Sequence, residues 1–342
     1  MSSSTKSKSN GKETNGNSKN NHKDEMPKVV SKAESNIKGA RPKTSSKPEK
    51  SNKDTAAKEK PQVSVKIDLK VLLMNASGPS QGDEPSTRRK QAIQNVINKH
   101  KPDLVLFQEF SWKGIHGKIW LADPVPEHYQ LTGNTDASIL YNINEIIVEE
   151  NPTGKLQRIL EELKRATSKH PTPIPLDFSP IPRMSLRMVK TKGVPVMEFI
   201  CISWHGRHRG IDDLEKVIEF RHLMIFVKDI RAKNNNLPIL LAGDFNVDME
   251  LISHEVEDPF KLHEYKASKR RKKKGVIDYF IATTELCLKD IKPVDLKKDS
   301  KADKPEDVLD HDPIKAMLGP SQLSTAVPTP DKSTVKMSKK AK

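Results

Sequence analysis

The chain has 342 residues, a formal net charge of +15 and only two cysteines, Cys201 and Cys287. Two cysteines exclude a disulfide-stapled scaffold, and both lie in apolar runs typical of buried free thiols in a reducing compartment. The first residues are polar and no run of about 18 apolar residues occurs, so neither a secretory signal nor a membrane span is expected. We therefore expect an intracellular protein, in the nucleus or the cytoplasm.

Positive charge is concentrated at the two ends of the chain. Residues 1–60 contain 15 basic and 7 acidic residues, and residues 321–342 contain 5 lysines and 1 aspartate. Both ends have few large apolar side chains, so they cannot bury enough surface to offset the entropy lost on ordering. We expect disordered basic tails at 1–62 and 321–342 that flank one domain at 63–320. The charge argument for a nucleic-acid partner applies to the tails first.

The first half of the domain alternates apolar strands with helices. Alternating or continuous apolar runs predict strands, and apolar residues at helical spacing predict helices. Ser86 or Thr87 can cap the first helix, and Pro102 stops it. The predicted elements are a strand ending at Asn75, this first helix, a buried strand over 103–110, strands at 137–142 and 145–150, and a helix over 155–169.

The second half continues with strands around one long helix. A hairpin is expected around Lys192-Gly193, between the apolar runs 185–193 and 194–205. The helix should cover 212–234 with an inward face formed by Leu214, Val217, Ile218, Ile225 and Phe226. Further strands are predicted at 237–242, 275–283 and 314–318. A strand-rich pattern with intervening helices indicates an α+β or mixed α/β domain with a two-sheet core.

A series of polar residues lies at the ends of these apolar strands. Charged groups in such places are costly to bury unless they are paired or bind a metal. Carboxylates are hard oxygen ligands that suit Mg²⁺ or Mn²⁺, and a histidine can carry a proton or oppose a phosphoryl group as a cation. The set therefore predicts metal-dependent hydrolysis of a phosphate ester. Its members are Asn75, Glu109, His205, Asp244, Asn246, Asp278, Asp310 and His311.

The order of these motifs resembles the endonuclease/exonuclease/phosphatase superfamily, which has the DNase I-like fold. Along the chain the motifs are Asn75, Gln108-Glu109, His205, Gly243-Asp244-Phe245-Asn246, Ile277-Asp278-Tyr279 and Asp310-His311-Asp312-Pro313. Each motif is weak alone, but together they cover about residues 65–318 in the family's order. The resemblance implies an α+β fold, a four-layer sandwich of two packed mixed β-sheets flanked by helices.

The resemblance also implies roles for single residues. Asn75, Glu109 and Asp310 would bind the metal, Mg²⁺ or Mn²⁺, with Glu109 as the principal ligand. The implied catalytic residues activate water and bind the phosphate. Asp244 would orient or deprotonate the water, and Asn246 would hold the water or the phosphate. Asp278 would pair with His311, which would contact the scissile phosphate, and His205 would match an active-site histidine of the DNase I branch. One departure is Leu309, which replaces the serine that usually precedes Asp310 and His311.

Several further residues are candidates for phosphate or nucleic-acid binding. Tyr141 is either a phosphate-contacting tyrosine or a core tyrosine, and Arg207 is either a phosphate ligand or an ordinary exposed arginine. The basic run 269–274 includes Arg270, Arg271, Lys272 and Lys273. It can act as a nuclear localisation signal, as a phosphate-binding loop near Asp278, or simply as a solvated loop.

Three functions are compatible with this sequence. The leading hypothesis is a nucleic-acid phosphodiesterase, which is an endonuclease, an exonuclease or an end-processing enzyme with nucleic acid as its partner. The first alternative is a phosphatase or phosphodiesterase acting on a lipid or small-molecule phosphate. The inositol phosphatase branch is disfavoured because Val247-Asp248 replaces its usual continuation after Asn246. The second alternative is a non-catalytic binding descendant of the fold, against which the complete motif set argues.

Overall fold

Two β-sheets of six strands each form the centre of the computed structural model. Every residue described here lies in the compact unit 62–342. The two tails predicted at 1–62 and 321–342 lie outside the described residues, apart from Ser321, so their disorder stays a prediction. The structure describes residues 68–77, 83–110, 128–149, 153–167, 173–208, 210–266, 275–300 and 309–321.

The first sheet contains strands from both ends of the domain. Its strands are β1 (Leu69–Asn75), β2 (Leu104–Gln108), β3 (Tyr129–Gly133), β4 (Ala137–Asn142), β11 (Leu286–Pro293) and β12 (Ile314–Pro320). They are ordered β11-β12-β1-β2-β4-β3. The central pair β1 and β2 is parallel, whereas the other neighbours are antiparallel. The sheet is therefore mixed.

The second sheet has a matching arrangement. Its strands are β5 (Ile146–Val148), β6 (Met184–Thr191), β7 (Glu198–His205), β8 (Ile239–Asp244), β9 (Phe260–His263) and β10 (Asp278–Thr283). They are ordered β5-β6-β7-β8-β10-β9, and only the central pair β7 and β8 is parallel. The predicted hairpin of β6 and β7 is confirmed.

The two sheets pack face to face and helices cover their outer faces. One buried cluster fills the space between the sheets, with Leu73 and Leu106 from the first and Phe199 and Leu240 from the second. Outside the first sheet lies α1 (Asp83–His100), and outside the second lie α2 (Thr153–Thr167) and α3 (Asp213–Ala232). Two short helices are α4 (Met249–Ile252) and α5 (Leu296–Asp299). This is the predicted α+β sandwich of two mixed sheets flanked by helices.

Helix α3 is present where the sequence predicts it, and three of the five residues predicted to face inward do so: Phe226 is buried, and Val217 and Ile225 are partly buried against the core. Asp212 caps the helix by accepting the backbone N–H of Glu215, whose side chain reaches back to Asp212 N. Leu214 and Ile218 are 68% and 38% exposed, so their predicted inward orientation is wrong. The helix is apolar along much of its length, so periodicity alone does not decide which side faces the sheet. The inward residues include Phe220, Leu223, Met224, Val227 and Ile230.

Two other features differ from the sequence prediction. Helix α1 begins at Asp83, before both predicted caps, Ser86 and Thr87. Strands β3, β9 and β11 were not predicted.

In the described part of the chain, no helix is both long and apolar enough to cross a membrane.

Candidate active site

The predicted site residues converge at one end of the sandwich because the strands that carry them are neighbours in register. In the second sheet, Asp244 pairs with His205 on one side and with Asp278 on the other. In the first sheet, Asn75 pairs with Gln108, directly before Glu109. The Asn75 Nδ2 atom donates a 2.9 Å hydrogen bond to Asp244 Oδ2. That bond joins the two sheets at the site.

The centre of the site is a carboxylate–imidazole cluster. Nδ1 of His311 lies 3.0 and 2.9 Å from the two carboxylate oxygens of Asp278. Nε2 of His311 points to the other side and lies 3.7 Å from Asp244 Oδ2. Ligand atoms of Asp244, Asp278 and His311 all lie within 4.8 Å of one another. The pairing predicted for Asp278 and His311 is thus present in the geometry.

A second acidic group lies beside this cluster. Glu109 Oε1 is 3.3 Å from Nε2 of the buried His205. Asp310 accepts a hydrogen bond from the Ser77 hydroxyl, and Ser77 N donates to Asn75 Oδ1 at 2.7 Å. Ser77 carries no signal in the sequence that would have marked it as a site residue.

Several residues of the site adopt a left-handed backbone. The φ angles are 59° for Ser77, 52° for Glu109 and 55° for Asn246. Asparagine tolerates this conformation, but for glutamate it costs about 1–2 kcal/mol. Such strain persists only where the surroundings fix the backbone, and the Glu109 amide is held by the carbonyl of Asp136 at 3.0 Å. The backbone of Glu109 is therefore held in this conformation where β2 ends at the site.

Arg183 fixes the loops after β7 and β8 although no motif in the sequence pointed to it. Its Nε donates to the His205 carbonyl at 2.7 Å, and its Nη2 donates to the Gly206 carbonyl. The same Gly206 oxygen accepts Asn246 Nδ2 at 3.0 Å, and Asn246 N donates to Asp244 Oδ1 at 3.0 Å. Arginine binding to backbone carbonyls needs no neighbouring sequence pattern, so only the structure reveals this contact.

Two glycines allow the chain segments of the site to approach closely. A Cβ atom at Gly243 would overlap the backbone of Trp204, and one at Gly206 would overlap the carbonyl of Phe245. Glycine is the residue that permits such backbone contact. The glycine of the Gly243-Asp244-Phe245-Asn246 motif thus lets β8 lie against β7 where Asp244 meets His205.

The electrostatics of the site follow from burial and crowding of carboxylates. Burial first, and then the charge of Asp278, raise the pKa of Asp244 to about 6. The contact with His205 has the largest effect on Glu109 and lowers its pKa, outweighing the raising effect of burial. Burial also opposes ionisation of Asp310, but the Ser77 hydrogen bond and the charge of His311 outweigh it and lower that pKa.

The residues present fit a divalent cation. Glu109, Asp310 and Asn75 offer hard oxygen donors, and the charge of Asp310 is felt at Glu109. Burial and the neighbouring charge of Asp278 disfavour the ionised form of Asp244, and a nearby cation would offset this unfavourable charge. In addition, His205 Nδ1 is buried with no hydrogen-bond partner in the described structure. A buried polar atom without a partner is typical of a site that takes a ligand or water.

Two of the remaining predicted residues, Tyr141 and Arg207, are described by the structure and lie outside this cluster. Tyr141 pairs with Leu104 at the start of β2, whereas Gln108 pairs with Ala137, so Tyr141 lies at the opposite end of the sheet and does not support the predicted phosphate contact. Its hydroxyl donates to Gln130 Oε1 at 2.8 Å. Arg207 lies near the site but is ion-paired with Glu219 at 3.2 Å. The run that contains Arg270, Arg271, Lys272 and Lys273 lies outside the described residues.

The fold and the acidic, histidine-containing end of the sandwich define a DNase I-like protein. The model of the endonuclease/exonuclease/phosphatase family matches residues 74–311. The chain therefore belongs to this family. No curated protein matches the sequence at a significant level.

Solved structures share the fold at low sequence identity. The catalytic domain of human Nocturnin is 12% identical with a TM-score of 0.52, and the match covers 78% of this chain and 100% of that one. A family protein from Bacteroides thetaiotaomicron is 18% identical with a TM-score of 0.52, covering 73% and 94%. D. rerio TDP2, complexed with a single-strand DNA product, is 10% identical with a TM-score of 0.50, covering 74% and 99%.

Proposed function

We propose that this protein is a nucleic-acid phosphodiesterase that depends on Mg²⁺ or Mn²⁺. The observation that carries the proposal is the connected cluster of Asp244, Asp278 and His311, tied by Asn75 to the acidic group around Glu109. Hydrolysis of a phosphate ester needs a group that activates water, a group that opposes the phosphoryl charge and ligands for a cation. The cluster contains all three in mutual reach.

Each residue of the cluster has a distinct task in this proposal. Asp244, whose pKa is raised to about 6, is deprotonated at neutral pH yet basic enough to take a proton from water. Asp278 orients His311 through Nδ1, which leaves Nε2 directed to the reacting phosphate. Asn246, held by Gly206 and Asp244, would position the water or a phosphate oxygen.

Glu109 and Asp310, with the amide oxygen of Asn75, would hold the metal. A bound Mg²⁺ or Mn²⁺ supplies a Lewis acid that polarises a phosphoryl oxygen and lowers the pKa of bound water. His205 keeps Glu109 ionised, because the contact between them lowers the carboxyl pKa. Ser77 does the same for Asp310.

Two observations favour a nucleic acid over a lipid or small phosphate. One structure with the same fold, that of D. rerio TDP2, contains a single-strand DNA product. The chain also has its densest positive charge in the run 269–274, four residues before Asp278, and polymeric phosphate responds to such charge by releasing counterions. The family membership alone is compatible with either substrate class.

Hydrolysis of a substrate panel tests the proposal. The panel contains plasmid DNA, duplex with an abasic site, single-stranded RNA, 5′-tyrosyl DNA and inositol phosphates, each with Mg²⁺ and with EDTA. We expect turnover of at least one polynucleotide with Mg²⁺, none with EDTA, and a loss on the order of 10²-fold or more in His311→Asn. Turnover of inositol phosphates alone would favour the small-molecule alternative. No turnover of any substrate by the folded wild type would favour the binding descendant.

A further inference from the structure

A cleft of about 440 Å³ opens directly beside the candidate active site. Arg183 and Arg207 line its inner end, and Arg183 also binds the carbonyls of His205 and Gly206. The cleft therefore adjoins the end of strand β7, where His205 lies. Its volume falls in the range of small-ligand sites, roughly 300–1,000 Å³.

The walls of this cleft are fixed by packing and hydrogen bonds. One wall is the segment 173–180, where the buried Lys164 of α2 donates to the Leu176 carbonyl at 2.6 Å. The other wall is the side of α3 that carries Ile218 and His222. The floor is apolar, since Phe178 packs edge-on against His222 with ring centroids 5.7 Å apart. The Lys164 hydrogen bond and the Phe178–His222 ring contact therefore hold the two walls of the cleft in place.

The polar lining of the cleft does not suit a phosphate group. Asp177, Glu215 and Glu219 all line it and would repel an anion. Both of its arginines are already engaged, Arg207 with Glu219 and Arg183 with backbone carbonyls. The carboxylate of Asp177, by contrast, is exposed and has no hydrogen-bond or ion-pair partner among the described residues. The lining thus offers acceptors for N–H donors rather than donors for phosphate oxygens.

We propose that the cleft holds the nucleobase next to the scissile phosphate and favours bases that carry an exocyclic amino group. Adenine and cytosine present such donors at N6 and N4, and guanine presents one at N2, whereas thymine carries the oxygen acceptors O4 and O2 and no exocyclic amino group. An unstacked base can also lie against an arginine guanidinium plane, and Arg207 is half-exposed at the cleft. This inference rests on the proposed phosphodiesterase function, and it adds a determinant of substrate choice outside the metal and histidine cluster.

Small chromogenic substrates test the base site. They are the nitrophenyl phosphodiesters of adenosine, cytidine and thymidine, in 5′- and 3′-linked forms, and the base-free methyl nitrophenyl phosphate. Ile218→Trp should fill the cleft and Asp177→Asn should remove the acceptor for amino groups. Ile147→Trp is the matched control, because Ile147 is likewise an exposed isoleucine, 47% against 38%, and lies on strand β5. Binding of adenosine monophosphate and inorganic phosphate in EDTA, measured by calorimetry, gives a readout independent of turnover.

We expect Ile218→Trp to lower kcat/KM for the adenosine and cytidine esters about tenfold, mainly through KM, with little change for the base-free ester. Asp177→Asn should reduce the preference for these esters over the thymidine ester, and Ile147→Trp should behave as wild type. Equal losses on base-bearing and base-free esters, or no loss at all, would overturn the base site. If no ester is hydrolysed and no polynucleotide of the substrate panel is turned over, the proposed activity fails. In that case, tighter binding of adenosine monophosphate than of phosphate, abolished by Ile218→Trp, would still support the cleft, and its absence would end both proposals.

Discussion

Among single residues, Asp244 shows most clearly how the site opposes the stability of the domain. The carboxyl is buried beside Asp278, and its pKa is raised to about 6 from 3.8. A group with a raised carboxyl pKa binds its proton more tightly in the folded state. Between about pH 4 and pH 6 the folded protein keeps that proton while the unfolded chain loses it. Stability contributed by Asp244 is therefore present below pH 4 and lost as the pH rises to 6.

Asp244→Asn should therefore stabilise the metal-free protein at pH 7 but not at pH 4. From the shift of the pKa the gain is on the order of 3 kcal/mol at most, and asparagine can still accept the bond from Asn75. Urea unfolding in EDTA at the two pH values measures it. Asp213→Asn, at an exposed carboxylate, is the control and should show no such difference. A gain in stability of equal size at both pH values would show that it does not come from the titration of Asp244.

Glu109 and Asp310 each contribute one charged carboxylate to the proposed metal site. Glu109→Gln and Asp310→Asn remove one charge each at nearly constant shape. We expect turnover to fall on the order of 10²-fold or more, with an increased Mg²⁺ requirement. Both variants should remain folded by circular dichroism, as should the exposed control Glu198→Gln. Near-normal turnover in both site variants would place the metal elsewhere.

At the scale of elements, the site depends on the close approach of β7 and β8. Gly243 has the Trp204 backbone where a Cβ would stand, so Gly243→Ala must push apart two central parallel strands. We expect a loss of about 1–3 kcal/mol in the free energy of unfolding, as for overpacking in a core. Gly154→Ala is the control, because this helical glycine has open space around its Cβ and alanine is the better helix former. Similar stability of the two variants would show that the strands have room to separate.

The elements that the sequence left unpredicted are those whose pattern is broken or weak. Strands β3 and β9 are short edge strands with half-exposed residues, so neither alternation nor an apolar run is evident. Strand β11 begins with an apolar run, but its pairing with β12 shifts register between Lys289 and Lys292, and Asp290 has a φ of 52°. Such a bulge interrupts the two-residue period on which the prediction relies.

Site residues could be predicted where a polar side chain lies at the end of an apolar strand. They could not be predicted where the side chain acts by binding backbone atoms. Asp244 ends β8, Asp278 begins β10 and His311 lies shortly before β12. The register of β8 and β10 brings the two aspartates together, and His311 joins them. Arg183 donates its hydrogen bonds to carbonyl oxygens, which every residue has, so no sequence motif marks it as a site residue. Of the two interpretations of Tyr141, the core tyrosine agrees with the structure, because its ring packs against the core between the sheets. The phosphate contact is not supported because β4 runs antiparallel to β2, and strand direction is a property of the sheet rather than of the segment.

For the whole molecule, the fold could be predicted because many weak motifs agree over the length of a domain. The family match over residues 74–311 and the two mixed sheets confirm that expectation. Substrate choice could not be predicted in the same way, because the groups that surround the site lie in loops of no fixed pattern. The cleft between segment 173–180 and α3 is one such group, and it has no sequence signature.

The basic run 269–274 is part of the positive charge of the molecule and, by its place in the sequence near Asp278, can influence which substrates bind. The run itself lies outside the described residues. Gly275, directly after the run, lies beside Asp248, and the Ile277 carbonyl accepts Phe245 N at 2.8 Å. Lys274 is four residues from Asp278, so their Cα atoms are no more than about 14 Å apart. That distance corresponds to about four phosphates along one strand of a duplex. A polynucleotide in the site can therefore neutralise the run, whereas a small ester cannot.

Replacing Lys272, Lys273 and Lys274 by serine should raise the KM for a polynucleotide and flatten the salt dependence of its binding. Each lost phosphate contact lowers the slope of log affinity against log salt by about 0.7–0.9, while turnover of methyl nitrophenyl phosphate should stay nearly constant. The matched control removes the same charge from β11 and β12 by changing Lys289, Lys292 and Lys315 to serine. If the slope falls equally in both triple variants, the affinity for the polynucleotide depends on the total charge of the protein rather than on the charge near Asp278. Loss of small-ester turnover in the first variant alone would mean that the run supports the Asp278 strand.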